Sequence, residues 1–281
     1  MVTSLLRNKV SLLFLIVLSL LCVFAIQDLA SAQQVEKPAL NRWKETGVIK
    51  VGWATWYPFA YRDPKSGEIK GFMIDYFRVL GEEIGMKVEF VEDGWGTFIG
   101  GLKAKKFDVW YTANITVPRS MEIGYTKGYM KIPGGFFTTK EWLDAHPEVK
   151  NFWDLDKPEF TIAVTKGGRT DMEITRNFKK ATIKRIKGSV TEHMMELKSK
   201  RVDAAFDGAL PILKVVSEQP GLAVVPGNLG GQPVAFGLRQ GDFVTTQFLN
   251  TWIDAAKRRG IFEKLYKEYL GDIPIEGFLV D

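Results

Sequence analysis

Cysteine is almost absent: the chain has one, Cys22, in 281 residues. With no second thiol, no disulfide forms within the chain. Histidine is nearly as scarce, with only His146 and His193. Together these two shortages exclude the usual zinc constellations, and no loop with EF-hand spacing offers calcium a site. A Ser-His-Asp or Cys-His arrangement is also out of reach, because both histidines lie on polar, surface-like stretches. There is no internal repeat and no low-complexity tract. Neither sign of charge dominates, the formal balance being +5. Lys103-Ala104-Lys105-Lys106 and Lys179-Lys180 come without an aromatic ladder, so they read as solvated helix ends and not as a nucleic-acid surface.

What is present begins with a leader. Arg7 and Lys9 precede a nearly unbroken apolar run, Val10–Ile26, and Ala30-Ser31-Ala32 is a small-residue cleavage site. The run is also close to the lower limit for a membrane anchor, but the A-x-A ending favours cleavage. Leu21 is too large for the position before a lipidated Cys22. The expected mature chain starts near Gln33, carries no thiol and is exported. Losing Arg7, Lys9 and Asp28 lowers the charge from +5 to +4. About 250 residues remain, enough for two lobes with a core each.

Along the mature chain, Gln33–Lys44 is a polar lead-in. Val48–Trp53 alternates like a strand, and Asp63–Gly67 reads as a hairpin turn. Phe72, Tyr76, Val79, Leu80 and Ile84 have helical spacing, with Gly85 as the stop. Lys87–Val91 is a second strand and Trp95 to Lys105 a second helix. Strand–helix–strand–helix–strand implies parallel crossovers and an α/β lobe. Ile132–Thr138 and Val224–Val234 are candidate hinges. Asp144–Asp156 reads as surface helix and loop. Phe160–Val164, His193–Lys200, Val202–Phe206 and Pro211–Val216 alternate strand with helix. Val234–Leu238 is a strand, and Phe248–Ala256 and Ile261–Leu270 are closing amphipathic helices.

The most informative stretch is Asp108–Tyr129. Val109, Trp110 and Tyr111 suit a buried parallel strand, which runs into the hydrogen-bonding residues Thr112, Asn114 and Thr116. Arg119 follows Pro118, just past the strand's carboxyl end, where a guanidinium can hold a ligand carboxylate in two hydrogen bonds. Gly167-Gly168-Arg169-Thr170 lies between a strand and a helix, where backbone amides can approach an anion; the same glycines also suit a plain tight turn. Trp53 and Trp110 sit within strands and read as core. Trp56, Tyr57, Phe59 and Trp95 sit in loops or at a helix start and read as a cleft lining.

From Gly47 to Gly271 the chain resembles the periplasmic amino-acid-binding proteins of ABC importers, solute-binding family 3. The stretches that carry this are Gly47–Tyr61, Gly71–Val91, Trp95–Arg119, Tyr125–Tyr129, Thr161–Thr170, Arg201–Asp207, Pro220–Val225 and Phe236–Asp242, in this order. The resemblance implies an α/β, two-lobed type II periplasmic-binding fold with two crossover hinge segments. The expected division is a signal peptide at 1–32, lobe 1 at 33–132 and 229–281, and lobe 2 at 133–228.

By the same resemblance, Arg119 pairs with a ligand α-carboxylate, assisted by Asn114 and Thr116. Gly168, Arg169 and Thr170 add second-lobe donors. Asp207 receives the α-amino group, and Tyr57, Phe59 and Trp95 sandwich the ligand body. Ala54 stands where the first lobe often has an acid, so one partner for an ammonium group is missing. The expected protein is a periplasmic monomer without metal or cofactor, whose partners are a small-molecule ligand and an ABC permease. It is not an enzyme. Two other readings are a periplasmic cyclohexadienyl dehydratase, with Glu92, Asp93, Glu173 or Asp207 as the acid, and a sensor or interaction module.

Overall fold

The computed structural model describes residues 37–279. The leader at Met1–Ala32, its Cys22 and the start at Gln33 lie outside the described residues. From Pro38 onward the chain packs as one compact unit. Its strands are β1 (Val48–Trp53), β2 (Tyr61–Arg62), β3 (Ile69–Lys70), β4 (Lys87–Glu92), β5 (Val109–Asn114), β6 (Ile123–Tyr125) and β7 (Met130–Thr139). Then come β8 (Thr161–Thr165), β9 (Thr182–Ile186), β10 (Ala204–Gly208) and the long β11 (Leu222–Arg239).

Nine of these strands form one sheet in the order β4-β1-β5-β11-β7-β10-β8-β9, with β6 also paired to β11. The two ends of the sheet have the same construction. Strands β4, β1 and β5 are parallel, and β11 runs antiparallel beside β5. Strands β9, β8 and β10 are parallel, and β7 runs antiparallel beside β10. The two long strands therefore meet in the middle and carry the chain across it twice. The ladder between β11 and β7 shifts register after Val225 and after Leu229. Gly227, Gly230 and Gly231 have positive φ there, a backbone that other residues adopt only with strain.

The apolar interior divides in the same way. One cluster uses residues between Ala39 and Ile132, with Leu210 and residues from Val234 to Leu270. Two smaller clusters lie between Phe136 and Val225. The Pro133-Gly134-Gly135 stretch is an unbroken part of β7, and its glycine has a packing reason. A Cβ on Gly134 would sit 2.3 Å from Cζ of Phe206. Gly134→Ala is expected to lower stability by about 1–3 kcal/mol, as overpacking does, read as a lower midpoint in chemical denaturation.

Four elements differ from the sequence reading. Within the polar lead-in lies a helix, α1 (Ala39–Thr46), which buries Trp43 completely. Strand β9 has lysine and arginine on a sheet edge, a pattern that suits an edge and hides the apolar alternation. The helix expected from Trp95 begins only at Phe98. There the Asp93 carboxylate accepts from the Gly94 amide at 2.7 Å and from the Thr97 hydroxyl, which holds residues 93–97 in a turn. The expected Asp144–Asp156 surface segment also includes a 3₁₀ turn, Phe152–Leu155, that buries both of its end residues.

Candidate functional site

The carboxyl ends of both parallel blocks point at one cleft of about 420 Å³, part of it open to solvent. From the first block it is lined by Trp56, Trp95, Thr112 and Asn114, with Ile132 of β7. From the second come Thr165, Gly168, Arg169, Thr170, Asp207 and Gly208.

Local structure explains how each wall is presented. After β1 the chain doubles back so that the Trp56 amide donates to the Ala60 carbonyl at 2.6 Å. This tight loop stacks the Phe59 ring under Trp56 at 4.4 Å, and Trp95 meets Trp56 edge-on at 6.0 Å. Phe59 is thus 1% exposed and supports the wall from behind, against the expectation that it would line the cleft. Tyr57 also points elsewhere: its hydroxyl bonds both Glu218 oxygens at 2.9 Å. Burial and that bond both push its pKa up. Trp56 and Trp95 alone of the four loop aromatics reach the cavity.

On the opposite wall, Gly168 caps the helix Arg169–Asn177 (α6 in chain order). Between α1 and α6 lie α2 (Phe72–Glu83), α3 (Phe98–Lys103), α4 (Val117–Ser120) and α5 (Lys140–Ala145). The opening amides of a helix have no partner within it, and those of Arg169 and Thr170 have none elsewhere among the described residues. The Arg169 guanidinium is paired with Glu173 one turn on.

Thr116 and Arg119 do not line the cleft. The Thr116 side chain caps α4 by accepting from the Arg119 amide at 3.4 Å. Arg119 is 7% exposed, with its guanidinium carbon 5.0 Å from the centre of the Trp110 ring. Among the described residues no carboxylate pairs with it. Burial lowers its pKa, the charge of Arg169 lowers it further, and Tyr125 acts the other way. A buried cation beside a second cation is an arrangement that an anion would relieve.

Asp207, at the end of β10, is 4% exposed and already surrounded by donors. Its Oδ1 accepts from the Gly208 amide at 2.7 Å and from the Trp56 indole N–H at 3.1 Å. Its Oδ2 faces Nδ1 of His193 at 3.3 Å. His193 corrects the sequence reading: it is completely buried, not on the surface. Its Nε2 lies 3.4 Å from the Thr165 hydroxyl. The signal was available, because Val190, His193 and Leu197 repeat at helical spacing on the buried face of α7 (Val190–Lys198). For the cavity residues Ile132 and Gly208 the sequence carries no such signal. Among the described residues no His, Cys, Asp or Glu group could hold a metal ion.

Residues 49–272 match the family described as bacterial extracellular solute-binding proteins, family 3. The chain belongs to that family. Similar to this family 3 protein is a Haemophilus influenzae protein named "probable amino-acid ABC transporter-binding protein", 29% identical over 82% of this chain and 88% of that one. The cyclohexadienyl dehydratase of Pseudomonas aeruginosa is 24% identical over 86% of this chain and 90% of its own. Among solved structures, the ancestral amino acid-binding protein AncCDT-1, a precursor of cyclohexadienyl dehydratase, is 28% identical. It aligns with a TM-score of 0.75 over 83% of this chain and 99% of its own. The mixed sheet with two long central strands is thus the type II periplasmic-binding fold. No described helix is long and apolar enough to cross a membrane.

Proposed function

We propose that the cleft binds an amino acid or a related small carboxylate with an apolar or aromatic body, for delivery to an ABC permease. The observation that carries this reading is the pairing of two walls. Two indole rings, Trp56 and Trp95, face the free amides of Arg169 and Thr170 across one cavity, with Arg119 off its wall. The rings select an apolar body, each good stack adding about 0.5–1.5 kcal/mol beyond area burial. The Arg169 and Thr170 amides hold the carboxylate, and Arg119 supplies the countercharge. Asn114 orients it.

Lobe 1, residues 33–132 with 229–281, closes on lobe 2, residues 133–228. Closure is supported by the Trp56–Asp207 and Tyr57–Glu218 hydrogen bonds, each of which joins the two lobes. The protein works in the periplasm after its leader is cleaved. It acts as a monomer.

The dehydratase relative gives a second reading some support. A dehydratase needs an acid ready to release a proton, and the four carboxylates are engaged otherwise. Glu92 pairs with Arg62 and Glu173 with Arg169. Burial raises the pKa of Asp93, but bonds from Thr97, Gly94 and Lys106 outweigh it and hold the acid below its ordinary value. Asp207 is held by Trp56 and Gly208.

A thermal-shift screen of the mature protein against amino acids, oxo acids and other small carboxylates tests the proposal. A ligand at a hundred times its Kd adds about 2.7 kcal/mol, a rise of roughly 5–10 °C for a chain of this size. No shift with any small carboxylate would remove the reading. Incubation with prephenate is expected to leave it intact; steady release of phenylpyruvate would move the protein to the enzymes.

A further inference from the structure

We infer that the ligand is a carboxylate without an ammonium group, such as a 2-oxo or 2-hydroxy acid, and that Trp56 enforces this choice. The inference rests on the carboxylate reading proposed above and narrows it. Asp207 is the one acid among the residues that line the cleft. A carboxylate oxygen has two lone pairs to offer, and both of Oδ1's are used by the Gly208 amide and the Trp56 indole N–H. Oδ2 has no surface open to the cavity and faces the His193 ring instead. At the end of β1, where an acid could complete an ammonium site from the other wall, stands buried Ala54.

An ammonium group entering this cleft would therefore lose its water and find no carboxylate oxygen open to accept from it. A bare buried charge of that kind is strongly disfavoured. An oxo or hydroxyl group suffers no such loss. The Asn114 side-chain amide, in no hydrogen bond among the described residues, lies on the wall and can donate to either. Trp56 thus has two roles. Its ring meets the ligand body, and its N–H closes Asp207 to cations.

The test is calorimetry with matched ligands that differ only at the α-carbon. The first set is phenylalanine, phenylpyruvate and phenyllactate; the second is leucine and 4-methyl-2-oxopentanoate. The oxo or hydroxy member of each set is expected to bind at least tenfold more tightly than the amino acid. Trp56→Phe keeps a ring and removes the N–H, and is expected to narrow that ratio severalfold. Wild-type protein that binds phenylalanine or leucine as tightly as its oxo counterpart overturns the inference while the carboxylate reading stands. An unchanged ratio in Trp56→Phe overturns the role given to Trp56. If no member of either set binds, the inference falls, and the function proposed above falls with it only when the thermal-shift screen also finds no carboxylate.

Discussion

Arg119→Ala is expected to weaken binding of any carboxylate ligand by about tenfold. Arg119 does not line the cleft, so its contribution is the longer-range pull of a buried cation, about 1–2 kcal/mol at the effective dielectric of a protein. The same substitution should leave the unliganded protein nearly as stable as before. Arg119 is buried and has no anionic partner among the described residues, so removing its charge relieves a desolvation cost. Loss of its stacking on Trp110, about 0.5–2 kcal/mol, works against that gain. The combination is diagnostic: calorimetry should show affinity down about tenfold while the melting temperature of the free protein moves by only a few degrees. Unchanged affinity would take Arg119 out of the site. A collapse of the free protein's melting temperature would make it a structural residue.

The second large effect lies far from the ligand. Asp108, at the entry to β5, is 2% exposed and holds four groups together. It accepts from the Trp43 indole at 2.8 Å and from the Lys50 amide at 3.5 Å, and it pairs with Arg42 and Arg239. Asp108→Ala would leave buried Arg239 and the Trp43 N–H without this acceptor. Breaking a buried pair from one side costs about 3–5 kcal/mol, which corresponds to a fall of roughly 6–20 °C in melting temperature. Below that temperature ligand affinity should be unchanged, because Asp108 is not among the residues that line the cleft. Wild-type thermal stability in this variant would show that the cluster contributes little.

The alternating and helical spacings were legible because each depends on nearest neighbours in the chain. Phe72, Tyr76 and Leu80 form one helical face whatever they pack against, and β1, β4 and β5 follow from their own apolar patterns. The site was legible only in part. Asn114, Gly168, Arg169, Thr170 and Asp207 are on the cleft walls, as are Trp56 and Trp95, while Tyr57, Phe59, Thr116 and Arg119 are not. Tyr57 and Phe59 flank the same Pro58, and nothing local says which ring turns inward. The turn closed by Trp56 and Ala60 sets that. His193 looked exposed because its sequence neighbours are polar, yet it packs against Thr165 and Asp207, both distant in the chain.

By itself the sequence determined the α/β class, the order of most elements and the two crossings, since these rest on periodicity and on glycine punctuation. Only the tertiary structure decided which side chains meet in the cleft and which groups already occupy Asp207. A hydrogen bond such as Trp56 to Asp207 joins residues 151 positions apart, and no local pattern encodes whether a carboxylate's lone pairs are filled from so far away.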